Sequence, residues 1–216
     1  MQPHAYIYLD KEGIKSLFAQ TVDRLETELR KSTETDVTEK AGAKFGLGKA
    51  IASLLGIEIG AKVEKSKASK LLEEAKLTLT VEHKLIRLQQ HLSEEGSLSR
   101  TIDDAVNRSA QMNKPVFIDL HESFDTPQFL KAGGADRATQ DGAIMFEIAD
   151  RFAARVVMAA SLPKFPSASG GKLNRLSHLA IHFQGHKGKS VSLHVFGYAR
   201  SLSSSTCQIK PYAIWL

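Results

Sequence analysis

The sequence has one cysteine, one tryptophan and six prolines in 216 residues, and beyond Asp150 it has no aspartate or glutamate. Each shortage excludes something. The lone Cys207 cannot close an internal disulfide, which rules out a small disulfide-stapled scaffold and makes a reducing cytoplasm the expected compartment. No apolar run reaches the roughly 18 residues of a membrane-spanning helix. The opening MQPHAYIYLD has neither the basic region nor the apolar stretch of a signal peptide, so none is expected. With 42% apolar and 25% charged residues the composition is that of a globular protein. The length predicts a single α+β domain over 1–216, with a mobile or glycine-rich insertion at about 32–66.

The missing late acids leave an asymmetric charge. Formal net charge is +5, yet residues 151–216 hold nine basic residues, four histidines and no acid. The first 150 residues carry the other 20 basic residues and all 24 acidic ones, a net −4. One sign of charge gathered in one segment draws oppositely charged partners such as nucleotides, nucleic acid or a membrane surface. The competing reading is that the basic segment docks on the acidic one, within a subunit or between subunits.

Residues 5–9 (AYIYL) are β-prone and run into Asp10, a good N-cap residue. Ile14, Leu17, Phe18, Val22, Leu25 and Leu29 then recur at spacings of three and four, predicting a helix over 11–31. Residues 32–43 lack periodicity and read as a linker. Segment 44–66 is apolar, punctuated by Gly46, Gly48, Gly56 and Gly60 and dotted with lysines. Four glycines weaken an isolated helix by about 1 kcal/mol each, so packing or a membrane interface must support it. The stripe from Leu71 to Leu92 predicts one long helix from 67 to 94, stopped at Gly96, although Leu77–Val81 alternates like a strand. A short helix follows near 98–110, then a strand at 115–120 and a short helix from Asp125. Ile144, Ile148, Phe152 and Val156 predict a helix over 139–157, with 155–160 legible equally as a strand. A Pro-, Ser- and Gly-rich loop occupies 163–174. Alternation over 178–184 and 190–198 predicts an antiparallel hairpin turning at His186–Gly188, pairing His182 with Ser192 and Ala180 with His194. A third strand at 206–215 follows a Ser201–Ser205 loop.

Several chemistries fail on spacing. Gly188-Lys189-Ser190 lacks the glycine five places earlier that a phosphate loop needs, and its flanks are strands. What survives is a basic turn able to hold an anion, or simply a solvated turn. His178, His182, His186 and His194 have no acid or cysteine in their segment to complete a metal set, so no metal or cofactor is expected. Asp119 and His121 share a strand face where acid–base work is conceivable, but no substrate is implied and no nucleophile elbow is present, so no catalytic residue is assigned. Aromatics among the late cations (Phe183, Phe196, Tyr198, Tyr212 and Trp215) suggest either a sheet on which bases stack or rings packed under a helix. The alternation places Phe196 and Tyr198 with His182, on the exposed face.

Tyr6-Ile-Tyr-Leu-Asp10 followed by Ser16-Leu17-Phe18-Ala19-Gln20 resembles the start of an uncharacterised bacterial family, and the lysine- and glycine-rich stretch after the first helix is similar too. The resemblance covers the first third of the chain and implies a bacterial origin without an activity.

The resulting expectation is an α+β fold with helices on one face of a mainly antiparallel sheet formed largely by the C-terminal third. Its function is expected to be non-enzymatic binding of an anionic partner (a nucleotide, nucleic acid or acidic protein) through His182, Lys187, Lys189, His194 and Arg200. One alternative is a membrane-acting effector in which Phe45, Leu47, Ile51, Leu54 and Leu55 meet lipid, or an oligomer partner. Another is an enzyme centred on Asp119 and His121. A homo-oligomer or a partner protein is expected.

Overall fold

The computed structural model describes residues 6–34, 50–56, 65–125, 139–140, 143–148, 155–161, 164–165, 190–203 and 206–216. The chain divides into two compact units where the sequence reading draws one domain: a helical unit, Lys11–Ser97, and a barrel unit made of Met1–Asp10 and Leu98–Leu216. The class is α+β, with strands concentrated towards the C-terminus.

In the helical unit, α1 (Lys11–Glu34) follows the predicted periodicity and buries Ile14, Phe18, Val22 and Leu25. Residues 50–55 form α2, which ends at Gly56 with φ +66°. The expected single helix over 67–94 is two helices, α3 (Lys65–Thr78) and α4 (Val81–Glu94), and both contact α1. Thr80 makes the break: its backbone is extended and its hydroxyl accepts a hydrogen bond from the His83 N–H, an N-cap that starts α4. The alternation at Leu77–Val81 therefore marks a helix junction instead of a strand. Gly96, at φ +67°, stops α4 as expected.

The barrel unit contains β1 (Tyr6–Leu9), β2 (Leu98–Ser99), α5 (Ile102–Met112), β3 (Val116–Asp125), β4 (Thr139–Gln140), β5 (Ala143–Ile148), β6 (Arg155–Ser161), β7 (Ser190–Ser203) and β8 (Thr206–Trp215). The mainly antiparallel sheet expected from sequence closes on itself into a barrel. Going round, β3 pairs with β7, β7 with β8, β8 with β6, β6 with β5, and β5 returns to β3 through Asp125 and Glu147. Every pairing in this ring is antiparallel except β6–β8. Inward residues of alternate parity (Ile118, Leu120, Phe124, Ile144, Phe146, Met158, Leu193, Val195, Ile209) fill the interior, and Ile102 and Ala105 of α5 join them.

Three expectations are corrected. The predicted helix 139–157 is the hairpin strands β5 and β6, and 155–160 is strand. β7 continues through the serines of the expected loop to Ser203; Asp125 is the last residue of β3, and the short helix expected to start there lies outside the described residues. The predicted pairing of Ala180 with His194 fails because His194 already has His121 on one side and Trp215 on the other. Residues 178–189 themselves lie outside the described residues, as do 126–138 and most of 32–66.

Candidate functional site

The outer face of β3, β7 and β8 carries the candidate site. Side chains at alternate positions stand perpendicular to a sheet, so cross-strand neighbours meet in rows. One row contains His121, His194, Trp215 and Tyr6, each paired with the next across β3, β7, β8 and β1. Three of the rings are nearly parallel: His121 and His194 lie 3.9 Å apart at 2°, and His194 and Trp215 lie 5.3 Å apart at 7°. Tyr6 closes the far end edge-on, 5.7 Å from Trp215 at 78°. His121 is exposed at the near end, and its Nε2 shares a 2.8 Å hydrogen bond with the Ser192 hydroxyl, which fixes the imidazole plane.

Next along the strands come Asp119 and Phe196, cross-strand partners on the same face. Asp119 receives the Arg100 guanidinium at 3.0 Å. Phe196 is fully buried, which corrects the expectation that its ring is exposed; it lies 6.1 Å from Tyr212. Burial, then the negative potential of Tyr198 and Asp10, pushes the Tyr212 phenol up to about 12, so it stays a neutral hydroxyl. Beyond them the Lys210 ammonium lies over the half-buried Tyr198 ring at 5.9 Å, and Arg200 is exposed one row further.

A close backbone approach shapes this face. At Gly197 an added Cβ would sit 2.8 Å from Pro211 Cα and closer still to the Lys210 carbonyl oxygen. Glycine here lets β8 press on β7 where the register shifts, and Pro211 falls at that irregularity, where a missing N–H is tolerated.

The charge picture changes when counted by unit instead of by sequence half. The helical unit has 15 basic and 14 acidic residues, and the barrel unit 14 and 10. Of the late cations whose side chains are described, Lys164 is ion-paired with the buried Asp10, whereas Arg200 and Lys210 are exposed with no carboxylate partner among the described residues. The expected site residues are thus only partly assembled: His194 lies in the ring row and Arg200 on the same face, while His182, Lys187 and Lys189 lie outside the described residues. His121, Trp215, Tyr6 and Lys210 are additions. A cue for His194 and Trp215 was their placement at alternate positions of predicted strands, but register sets the row, and register is not visible in the sequence.

The other expected sites fare differently. Ile51 and Leu54 are buried and Leu55 is half-buried, which removes the first two from a lipid- or partner-facing surface; Phe45 and Leu47 lie outside the described residues. Asp119 and His121 do share a face, each already engaged, by Arg100 and by Ser192 with His194. Among the described residues one acidic group, Asp23, Glu26 and Glu73, is tight enough to hold a cation, and Lys76 already bonds Asp23 and Glu73 at 2.6 Å each. The buried Cys207 thiol is held protonated by desolvation, with no charged group among the described residues to activate it.

No family model, curated protein or solved structure matches the chain.

Proposed function

We propose that the protein is a non-enzymatic binding protein whose barrel holds an anionic partner on the outer face of β3, β7 and β8. The carrying observation is the coincidence on one face of a fixed row of rings with two exposed cations, Arg200 and Lys210, that have no carboxylate partner among the described residues. Planar rings beside cations recognise phosphate-bearing ligands through stacking and charge together. Numbering the ring strands β3, β5, β6, β7 and β8 from one to five gives the order 1-2-3-5-4-1 with the third and fifth parallel, the connectivity of the OB barrel, whose ligands sit mainly on strands two and three; the proposed face is instead strands one, four and five. Fold alone does not give function, so the weight stays on the face. A lone buried thiol accords with a reducing cytoplasm.

Fluorescence anisotropy with a labelled single-stranded oligonucleotide at low salt tests the proposal. Reversing both charges, Arg200→Glu with Lys210→Glu, is expected to weaken binding about tenfold or more, since each substitution replaces an attraction by a repulsion. Unchanged binding by the double variant would remove the reading.

A further inference from the structure

The row of rings is closed at one end and open at the other. Tyr6 meets Trp215 edge-on, so no further ring can stack there in parallel. At the opposite end His121 stacks on His194 through one face only, and among the described residues no ring covers its other face. Among the described residues the strand edge beside it is unpaired as well: on the side away from β7, they pair β3 with β2 at Phe117 and Ile118 and with β5 at Asp125. Ser192 holds the imidazole in the plane of the row, so the open face is presented in advance and little freedom is lost when a fourth parallel ring settles on it.

The surrounding charges indicate what such a ring carries. Asp125 and Glu147 face each other across β3 and β5 at one end of the face, a region unfavourable to phosphate. In the other direction stand Arg100, 60% exposed beside Asp119, then Lys210 and Arg200. His194 and Tyr198, the row partners of His121 and Lys210, are four residues apart on β7, a span of about 13 Å. That puts Lys210 and Arg200 beyond the phosphate of a single nucleotide stacked on His121, while the nearer Arg100 is already paired with Asp119, and suits a chain of nucleotides. Resting on the anion-binding reading above, we infer that the open face of His121 receives a base of a single-stranded nucleic acid, with the sugar-phosphate chain running from there towards Lys210 and Arg200.

The test compares three probes on the intact protein at fixed low salt: a thymidine oligonucleotide, an abasic oligonucleotide of equal length, and thymidine monophosphate. Stacking predicts that the abasic strand binds about 5- to 150-fold more weakly than the thymidine strand, and that the mononucleotide binds far more weakly than either. His121→Ala, at an exposed position, is expected to erase the difference between the two strands, and His121→Tyr, which restores a ring without an imidazole, to recover it. Far-ultraviolet circular dichroism of both variants checks that the fold is kept. Equal binding of the two strands by the wild type overturns this inference and leaves the charge reading standing, as does a preference that survives in His121→Ala. Mononucleotide binding as tight as the oligomer's overturns the assignment of a polymer. Failure to bind either strand overturns this inference and the charge reading together.

Discussion

Lys76 in the helical unit and Lys210 in the barrel unit are both lysines on folded surfaces, and they face opposite circumstances. Lys76 bonds Asp23 and Glu73 at 2.6 Å each, an arrangement that raises its pKa through those two hydrogen bonds. Lys210 has a tyrosine ring beneath it and no acid among the described residues. The contrast extends to neighbours. Arg24 is tied to Glu95 and to His91, and the buried Lys84 donates to the Lys76 carbonyl at 2.7 Å, whereas Arg200 stands exposed. In the helical unit, Arg24, Lys76 and Lys84 hold helices together, while Lys11, Lys67 and Lys70 stand exposed. On the barrel face, two are left for something else. An exposed cation contributes little to stability, so leaving it unpaired costs the fold almost nothing.

The largest expected effect breaks the barrel side of that contrast. Gly197→Ala forces a methyl group into the β8 backbone at Lys210 and Pro211, neither of which is a flexible side-chain end, and is expected to destabilise the protein by several kcal/mol. Loss of the near-ultraviolet signal of Trp215, the chain's one tryptophan, together with a large drop in the denaturant midpoint, checks it. Wild-type stability in this variant would mean that β7 and β8 do not approach as described.

A second effect belongs to the helical unit. His91 is fully buried, and desolvation, opposed by Glu95 and reinforced by Arg24, lowers its pKa from the usual 6.5. A folded-state pKa below the unfolded one means that the unfolded chain binds the proton more readily. The neutral imidazole's contribution is therefore complete above pH 6.5 and is lost as pH falls below that value, no more steeply than about 1.4 kcal/mol per pH unit for one proton. Denaturant melts followed by helical circular dichroism between pH 7.5 and 5 are expected to show this slope, and His91→Gln to flatten it.

The smallest effect is at Gly96. It shares the helical unit's charge-rich end, has φ +67°, and nothing lies within 4 Å of an added Cβ. Gly96→Ala is expected to cost only about 1 kcal/mol, the backbone penalty without a clash. A loss as large as that of Gly197→Ala would show that the difference between the two glycines is not steric.

What the sequence revealed followed from physics that acts locally. The helix from Lys11, the stop at Gly96 and the strands beginning near Val116, Ser190 and Thr206 were legible because periodicity and turn residues act over a few positions. The misreading of 139–157 has a definite cause: Ile144, Ile148 and Val156 satisfy spacings of four and eight, which belong to a helix face and to a strand face alike, and Phe146 and Met158 were the residues that favoured the strand. The break at Thr80 was hidden because apolar periodicity resumes in α4 as if nothing had intervened. Among the described residues, closure of the sheet into a barrel rests on the pair Asp125 with Glu147, between strands whose sequence gives no sign of adjacency. The ring row was illegible for the same reason. Histidine and tryptophan were visible on predicted strands, but only the register of β1, β3, β7 and β8 brings Tyr6, His121, His194 and Trp215 side by side. Counting charge along the chain overstated the late segment's isolation, since Asp10 and other acids from earlier in the sequence belong to the same unit.

The salt dependence of single-stranded oligonucleotide binding tests the central claim most directly. Comparing wild type with the neutral double variant Arg200→Gln with Lys210→Gln, the account predicts that log K against log salt concentration is shallower in the variant by about 1.4, from about 0.7 per lost phosphate contact on a single strand. Identical slopes would show that neither cation meets a phosphate, and would contradict it.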